Sequence, residues 1–337
     1  DDAPDGRIDL PIVVQDRSFA ADNSLVYRPN MMGMLGDEIW VNGRRDAVLD
    51  VPAAEHRLRI LNGSNSRIYK LAWRGGPPVT VLGTDGGRLA APLQRPYVML
   101  APGQRLDVAA EFGDGALGRR PVLESLEFTG AAPDAGATAL PMGARFPVAS
   151  FRVEGGALPL YLPVALAGAP VAATHALRAG GPRAPRALGA AQDGPPDRTF
   201  VLRAQMMRWT INGRTFELEG VAEDEIVRLG AEETWEFDNQ GAGMGGAGMM
   251  AMAHAMHLHL VQFRVVGRDP DPRREADYAT VRDGLIDAGW LDTVLVMPLE
   301  RVRIRARFVD YPGLYLYHCH MLEHEDMGMM RNFRVVP

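Results

Sequence analysis

Six of the chain's eight histidines fall in two short runs: His254, His257 and His259 in HAMHLH, and His318, His320 and His324 in HCHMLEH. The second run also holds Cys319, the only cysteine in 337 residues. Histidines gathered around a thiol are the sequence mark of a metal site, because imidazole nitrogen and thiolate sulfur are donors that transition metals favour. In an extended strand successive side chains point to opposite faces. His257 and His259 are therefore expected on one face, as are His318 and His320, while Cys319 points the other way. The spacing predicts two metal sites that share a wall.

On the Cys319 side the donors on offer are His254, His324 and Met329, a methionine ten residues past the thiol. A trigonal His2Cys set with a weak axial methionine is the blue-copper electron-transfer arrangement, whereas structural zinc favours four strong ligands and usually more cysteines. The opposite face offers imidazole alone, which suits copper, zinc and iron alike. His318 and His320 are joined to Cys319 through the backbone. An electron captured at the thiolate would have a path of a few bonds to the histidine-rich face.

The elements that must position these residues read as strands. Asp9 to Val14, Glu38 to Val41, Arg57 to Leu61, Thr80 to Leu82 and Arg105 to Phe112 are β-branched or alternating and are punctuated by Gly, Pro, Asn and Asp. No long stretch keeps a 3.6-residue apolar period, so helices should be short and few. This is the pattern of an all-β chain built of sandwiches. VNGR at 41–44 returns as INGR at 211–214, and GQRLDVAAEF at 103–112 has an echo in ERVRIRARF at 300–308, in the same order. The second half thus reads as a diverged copy of the first. An Ala/Gly/Pro-rich stretch at 169–197 has linker composition and divides a domain at 1–168 from one at 198–337.

Bulk composition narrows the function classes. With 47% hydrophobic and 23% charged residues the chain is globular. A net charge of −6 argues against general nucleic-acid binding, which needs a basic field. No run approaches a membrane span, and no charged-then-apolar leader opens the sequence, so the expectation is a soluble protein whose export signal, if any, lies outside this stretch.

HxxHxH followed by HCHxxxHxxxxM resembles the multicopper oxidases, most of all the bacterial three-domain branch of laccases, copper efflux oxidases and bilirubin oxidase-like enzymes. LPIVVQDRSF (10–19), RLRILNGSNSRIY (57–69), AMHLHLVQF (255–263) and HCHMLEHEDMGMM (318–330) are similar to that branch, so the likeness runs along nearly the whole chain. The resemblance implies two cupredoxin-like Greek-key β-sandwich domains. His254, Cys319, His324 and Met329 would bind type 1 copper, His257 type 2 copper, and His259, His318 and His320 the type 3 pair. The implied activity is one-electron oxidation of phenols, aromatic amines or Cu(I), coupled to reduction of O2 to water, in the periplasm or outside the cell. Glu325 resembles in position a carboxylate implicated in proton delivery; its alternative reading is an ordinary hydrogen-bonded acid on a loop.

Two departures set further expectations. The family completes its trinuclear cluster with four His-x-His pairs, and this chain has two, at 257/259 and 318/320; His56 and His175 stand alone and read as ordinary histidines. The chain resembles the family's second and third domains, with the first absent. Full turnover is then expected to need an N-terminal cupredoxin domain or a separate chain carrying two further His-x-His pairs. The glycine- and methionine-rich stretch 241–253 ends in Met250-Ala251-Met252-Ala253 before His254, where copper efflux oxidases hold a substrate cuprous ion. Here an aspartate of that motif is replaced by Met250, which favours a flexible cover over a cuprous site at Met250 and Met252. A non-catalytic type 1 copper electron carrier is the rival reading of the chain as a whole. Copper nitrite reductase fits less well, because one histidine flanking Cys319 would have no role in it.

Overall fold

The computed structural model describes residues 7–132, 138–155, 194–205, 207–239 and 251–337. The first half runs through β1 (Ile8–Arg17), β2 (Glu38–Val41), β3 (Arg44–Arg45), β4 (Val48–Pro52), β5 (Glu55–Asn62), β6 (Tyr69–Trp73), β7 (Val79–Thr84), β8 (Gly87–Arg95), β9 (Val98–Leu100), β10 (Arg105–Glu111), β11 (Val122–Ser125) and β12 (Phe146–Glu154). The second runs through β13 (Arg198–Gln205), β14 (Arg208–Ile211), β15 (Ile226–Arg228), β16 (Glu232–Asp238), β17 (His254–Leu258), β18 (Phe263–Pro270), β19 (Thr293–Val296), β20 (Glu300–Arg307), β21 (Gly313–Cys319) and β22 (Met330–Val336). The α-helices among the described residues are single turns, α1 (Glu275–Tyr278) and α2 (Leu322–Asp326), in line with the missing helical periodicity.

Each half stacks two sheets, and the two halves share one topology. The order β2-β1-β5-β10-β7 returns as β14-β13-β16-β20-β18, and β4-β12-β11-β6-β9 returns as β15-β22-β21-β17-β19. Even the parallel pairs correspond, β1 with β5 and β13 with β16, β4 with β12 and β15 with β22. The sequence echoes fall on matching elements. Asn42-Gly43 and Asn212-Gly213 both take positive φ, as a tight hairpin turn requires. Asn42 Oδ1 accepts from the Val13 N–H at 2.8 Å and Asn212 Oδ1 accepts from the Val201 N–H at 2.7 Å. The second echo is β10 and its counterpart β20.

The alternating strands bury one face each, as β10 does with Leu106, Val108 and Ala110. One apolar cluster fills the first sandwich, around Val14, Leu58, Val81 and Phe151. A second fills the other sandwich around Phe200, Trp235, Val302 and Phe333, and it extends across the boundary to Met31, Tyr97, Met99 and Phe128 of the first half. The halves are therefore welded through a shared core, a contact that burial of apolar surface stabilises. The expected linker at 169–197 lies mostly outside the described residues, as do His175 and Met250. No helix among the described residues is long and apolar enough to cross a membrane.

Candidate metal centres

β17 and β21 lie side by side, antiparallel, with Met256 opposite Cys319 and His257 opposite His318. Residues directly opposed in such a pair share a face. His254 and Cys319 therefore point into one side of the sheet and His257 and His318 to the other, as alternation predicts. β21 ends at Cys319 and β17 at Leu258, so His320 and His259 sit one residue past their strands. They still join the imidazole face, because the backbone stays tied to the sheet: the His320 N–H donates to Ala255 O at 2.6 Å and the His259 N–H to Leu316 O at 3.0 Å.

On the buried side, Cys319 Sγ lies 3.7 Å from His254 Nδ1 and 3.6 Å from His324 Nδ1, and the two Nδ1 atoms are 3.1 Å apart. A point equidistant from these three atoms is about 2 Å from each, the length of a transition-metal bond to nitrogen or sulfur. All three residues are buried, and neither Nδ1 has a hydrogen-bond partner other than the members of the triangle. The donor set thus fits a soft or borderline metal ion. Burial pushes the Cys319 thiol up to about 12. It holds His254 down to about 3, and, with help from His254, holds His324 well below its ordinary value.

α2 delivers His324, and the turn after it delivers Met329. The Met329 N–H donates to His324 O at 2.9 Å and the Cys319 N–H donates to Met329 O at 3.0 Å, so the backbone around Met329 is stitched to both ligands. Gly328 makes this possible, with φ of +115° and no room for a Cβ against Trp209 O and Thr215. Met329 is fully buried, in the same apolar cluster as Cys319. Met252, two residues before His254, is also buried, and its carbonyl accepts from Asn239. Trp209 closes the site, edge-on to His254 at 4.9 Å and tilted over His324 at 4.5 Å.

On the opposite side four imidazoles gather. His259 Nε2 and His318 Nε2 are 3.2 Å apart, and the His257 ring lies 5.0 Å from His259, 5.3 Å from His318 and 5.5 Å from His320. Ligand atoms of His257, His259 and His318 all fall within 4.8 Å of one another. Burial, reinforced by the neighbouring imidazoles, holds His259 down to about 4, and burial lowers His320 too. Each ring can turn one nitrogen lone pair toward the space the four enclose, and that many nitrogen donors converging there also fit a metal. His257 Nδ1 is already engaged, 2.9 Å from Asp292 O and 3.0 Å from Thr293 Oγ1, which leaves its Nε2 for an ion. Glu325 Oε2 sits 3.3 Å from His318 Nδ1. Burial works against its charge, but the bond to His318 and the surrounding imidazoles outweigh that and keep it ionised below the usual carboxylate range.

The first sandwich brings no His or Cys to either group, yet its loops brace both. Asn65 Nδ2 and Ser66 Oγ donate to the buried Glu323 carboxylate at 2.8 and 2.6 Å, next to His324. The backbone of Gly103 lies flat against the His320 ring, where a Cβ would collide with it. Arg105 grips Asp292 with two bonds of 2.7 Å. Asn65, Ser66, Gly103 and Arg105 lie in stretches that the sequence marks as family-like or repeated, but nothing in those stretches announces these contacts. Glu323 likewise lies in the family-like phrase 318–330 with no contact announced, and Trp209, Asp292 and Thr293 carry no signal in the sequence. His56 is a core residue, packed against Phe112 with Nδ1 on Ala54 O.

Comparison with known proteins follows the same division. Residues 191–337 match the family model described as "Multicopper oxidase". Nearly the whole chain, 99% of it, aligns at 30% identity with a laccase of Bacillus stratosphericus, and 98% of it at 31% identity with a laccase of Haloferax volcanii. Among solved structures, the McoA multicopper oxidase of Aquifex aeolicus superposes on 98% of the chain with a TM-score of 0.74 and 30% identity. The chain spans 64%, 53% and 66% of the lengths of these three proteins, so all of them are substantially longer.

Proposed function

We propose that the chain is a member of the multicopper oxidase family and forms the electron-accepting part of a laccase-like oxidase, oxidising phenols, aromatic amines or Cu(I) and delivering the electrons to a site where O2 is reduced to water. The observation that carries this reading is the back-to-back placement of a buried His2Cys triangle and a four-imidazole group, separated by the single peptide between His318 and Cys319. His254, Cys319 and His324, with Met329, would hold the type 1 ion. His257 would serve type 2 copper, and His259, His318 and His320 the type 3 ions. Bound copper supplies one-electron redox chemistry on the thiolate side and oxygen chemistry on the imidazole side.

The chain's own residues supply the rest. The sandwich core around Cys319 and Met329 excludes water from the thiolate. The backbone through His318 and His320 gives a covalent connection between the two faces. Glu325, charged and hydrogen-bonded to His318, is placed to hand protons toward the imidazole side. A cavity of about 480 Å³ lined by Met32, Met34, Phe128 and Met142, with Arg28 and Asp37 among its polar groups, is the candidate donor pocket. Its wall continues into Met31, whose carbonyl receives the Trp209 indole N–H at 2.8 Å, and into Ala131, whose carbonyl receives the Ala253 N–H at 2.7 Å, beside the type 1 ligands. Four imidazoles are half of what the family's cluster takes. An N-terminal cupredoxin domain or a separate chain would supply two further His-x-His pairs, a reading that the greater length of the relatives supports. A periplasmic or secreted location is part of the same proposal and rests on the family likeness.

The test is reconstitution with copper. The chain alone is expected to give an intense blue absorption and a type 1 spin-resonance signal. Joined to a segment carrying two more His-x-His pairs, it should hold four coppers and consume oxygen with a phenolic donor. Absence of a type 1 signal would overturn the assignment. A blue chain that never consumes oxygen with the full histidine set would make it an electron carrier.

A further inference from the structure

His257 Nδ1 lies between two of the protein's oxygen atoms, and the direction of each hydrogen bond around it can be followed back to the other sandwich. Arg105, in the first sandwich, donates Nη1 to Asp292 Oδ1 and Nη2 to Asp292 Oδ2, each at 2.7 Å. A guanidinium only donates, so this two-pronged grip fixes Asp292 as an acceptor. The Thr293 hydroxyl lies 2.9 Å from Asp292 Oδ1 and donates its one proton there. With that proton committed, Thr293 Oγ1 can only accept from His257 Nδ1, 3.0 Å away. The Asp292 carbonyl, 2.9 Å from the same nitrogen, is an acceptor by nature. His257 must therefore carry its proton on Nδ1, and its Nε2 lone pair is the one presented to the imidazole group.

The rest of the boundary keeps this chain of bonds in place. Asp85 Oδ1 accepts from the Arg105 N–H at 2.7 Å, and its Oδ2 faces the N–H groups of Asp292 and Thr293 at 3.3 Å each. Arg105 Nη2 also donates to Asp85 O, and Gln104 Nε2 donates to Thr293 O at 3.0 Å. Thr293 is buried and stands opposite His257 in the pairing of β19 with β17.

We propose that Arg105 is a positioning residue for His257: acting through Asp292 and the Thr293 hydroxyl, it fixes the ring orientation and the Nδ1–H tautomer that leave Nε2 free for copper. The first sandwich, without ligands of its own, thereby sets the readiness of a ligand in the second. The inference rests on the proposed role of His257 as a copper ligand, but its first readout needs no metal. In the metal-free full chain, with its histidines labelled with nitrogen-15, the side-chain nitrogen resonances of His257 should show a single tautomer protonated at Nδ1. Arg105→Ala, which frees Asp292 to move its carbonyl and carboxylate away together, should give a mixture of tautomers. Thr293→Val with Arg105 intact should admit a smaller share of the second tautomer, because the Asp292 carbonyl still accepts, and Thr293→Ser should restore the single form. Loss of an ordinary boundary ion pair would shift the unfolding midpoint and leave the tautomer untouched.

Copper(II) titration of the Cys319→Ser chain, followed by spin resonance, is the second readout. Arg105→Ala should weaken binding at the imidazole group by about tenfold or more. Unchanged His257 tautomer and unchanged copper affinity in Arg105→Ala would overturn the proposal. A parent chain that shows the single tautomer but takes no copper at this group would support the relay and refute the copper assignment, so the two failures are distinguishable.

Discussion

The Trp209 indole lies over the His324 ring, with centroids 4.5 Å apart and planes 35° from parallel, while its N–H is donated across the sandwich boundary to the Met31 carbonyl. One side chain thus packs on a ligand of the thiolate site and anchors the wall of the candidate donor pocket. Trp209→Phe keeps a ring but leaves the Met31 carbonyl without its donor, at an expected cost of about 1–3 kcal/mol. Trp209→Ala opens a cavity and should cost about 3–5 kcal/mol. Urea unfolding measures both, and a Phe variant as stable as the parent would show the cross-boundary bond to be dispensable.

Cys319→Ser removes the soft donor and little volume. The expected outcome is a folded chain without blue colour or donor oxidation that still binds copper at the imidazole face. Optical spectroscopy and copper analysis decide it, and retained turnover in the completed oxidase would refute the electron path through the thiolate.

Glu323 is buried, with both oxygens committed to Asn65 and Ser66. Glu323→Ala and Ser66→Ala should each destabilise by about 1–3 kcal/mol, because each leaves a buried partner unmade. The double variant should fall short of their sum by about 0.5 kcal/mol or more, the signature of a direct contact. Strict additivity in thermal or urea unfolding would mean that the bond does not anchor α2.

Near neutral pH the thiolate site without metal consists of a protonated thiol and two neutral imidazoles, since burial pushes Cys319 up to about 12, holds His254 down to about 3 and, with His254 beside it, keeps His324 well below its ordinary value. A metal can displace one proton from the thiol and none from the imidazole lone pairs. Cobalt(II), which leaves the thiol reduced, should release about one proton per ion bound, and its affinity should rise about tenfold per pH unit from about pH 5 to about pH 9. Calorimetry in buffers of different ionisation enthalpy counts the protons; release of two or more would mean that a ligand histidine is charged in the metal-free chain.

Much of this site was legible in the sequence because it follows from local rules. Strand alternation alone places His257 and His318 opposite Cys319 and His254, and the pairing of β17 with β21 bears that out. The Asn-Gly echo located equivalent hairpins in the two halves because positive φ restricts residue choice. What stayed hidden depends on contacts between residues far apart in the chain. Asp292, Thr293 and Glu323 are common polar residues whose meaning comes from partners about 190 to 260 positions away, or from a neighbouring strand, and no period or spacing announces them. Trp209 likewise has nothing local to distinguish it from a core tryptophan.

The matched topology of the two halves bears on what the metal has to do. The first sandwich closes the same strand order with β6 and β11 in the places of β17 and β21, and carries no His or Cys on either strand. Its existence shows that the architecture reaches a packed core by strand pairing and apolar burial alone. An ion held by the second sandwich would then be a guest in a frame already closed, and chelation should leave a folded protein behind. A frame that sets the ligand spacing by itself has little reason to shift when the charge at its centre changes by one, and low rearrangement of that kind favours fast electron exchange.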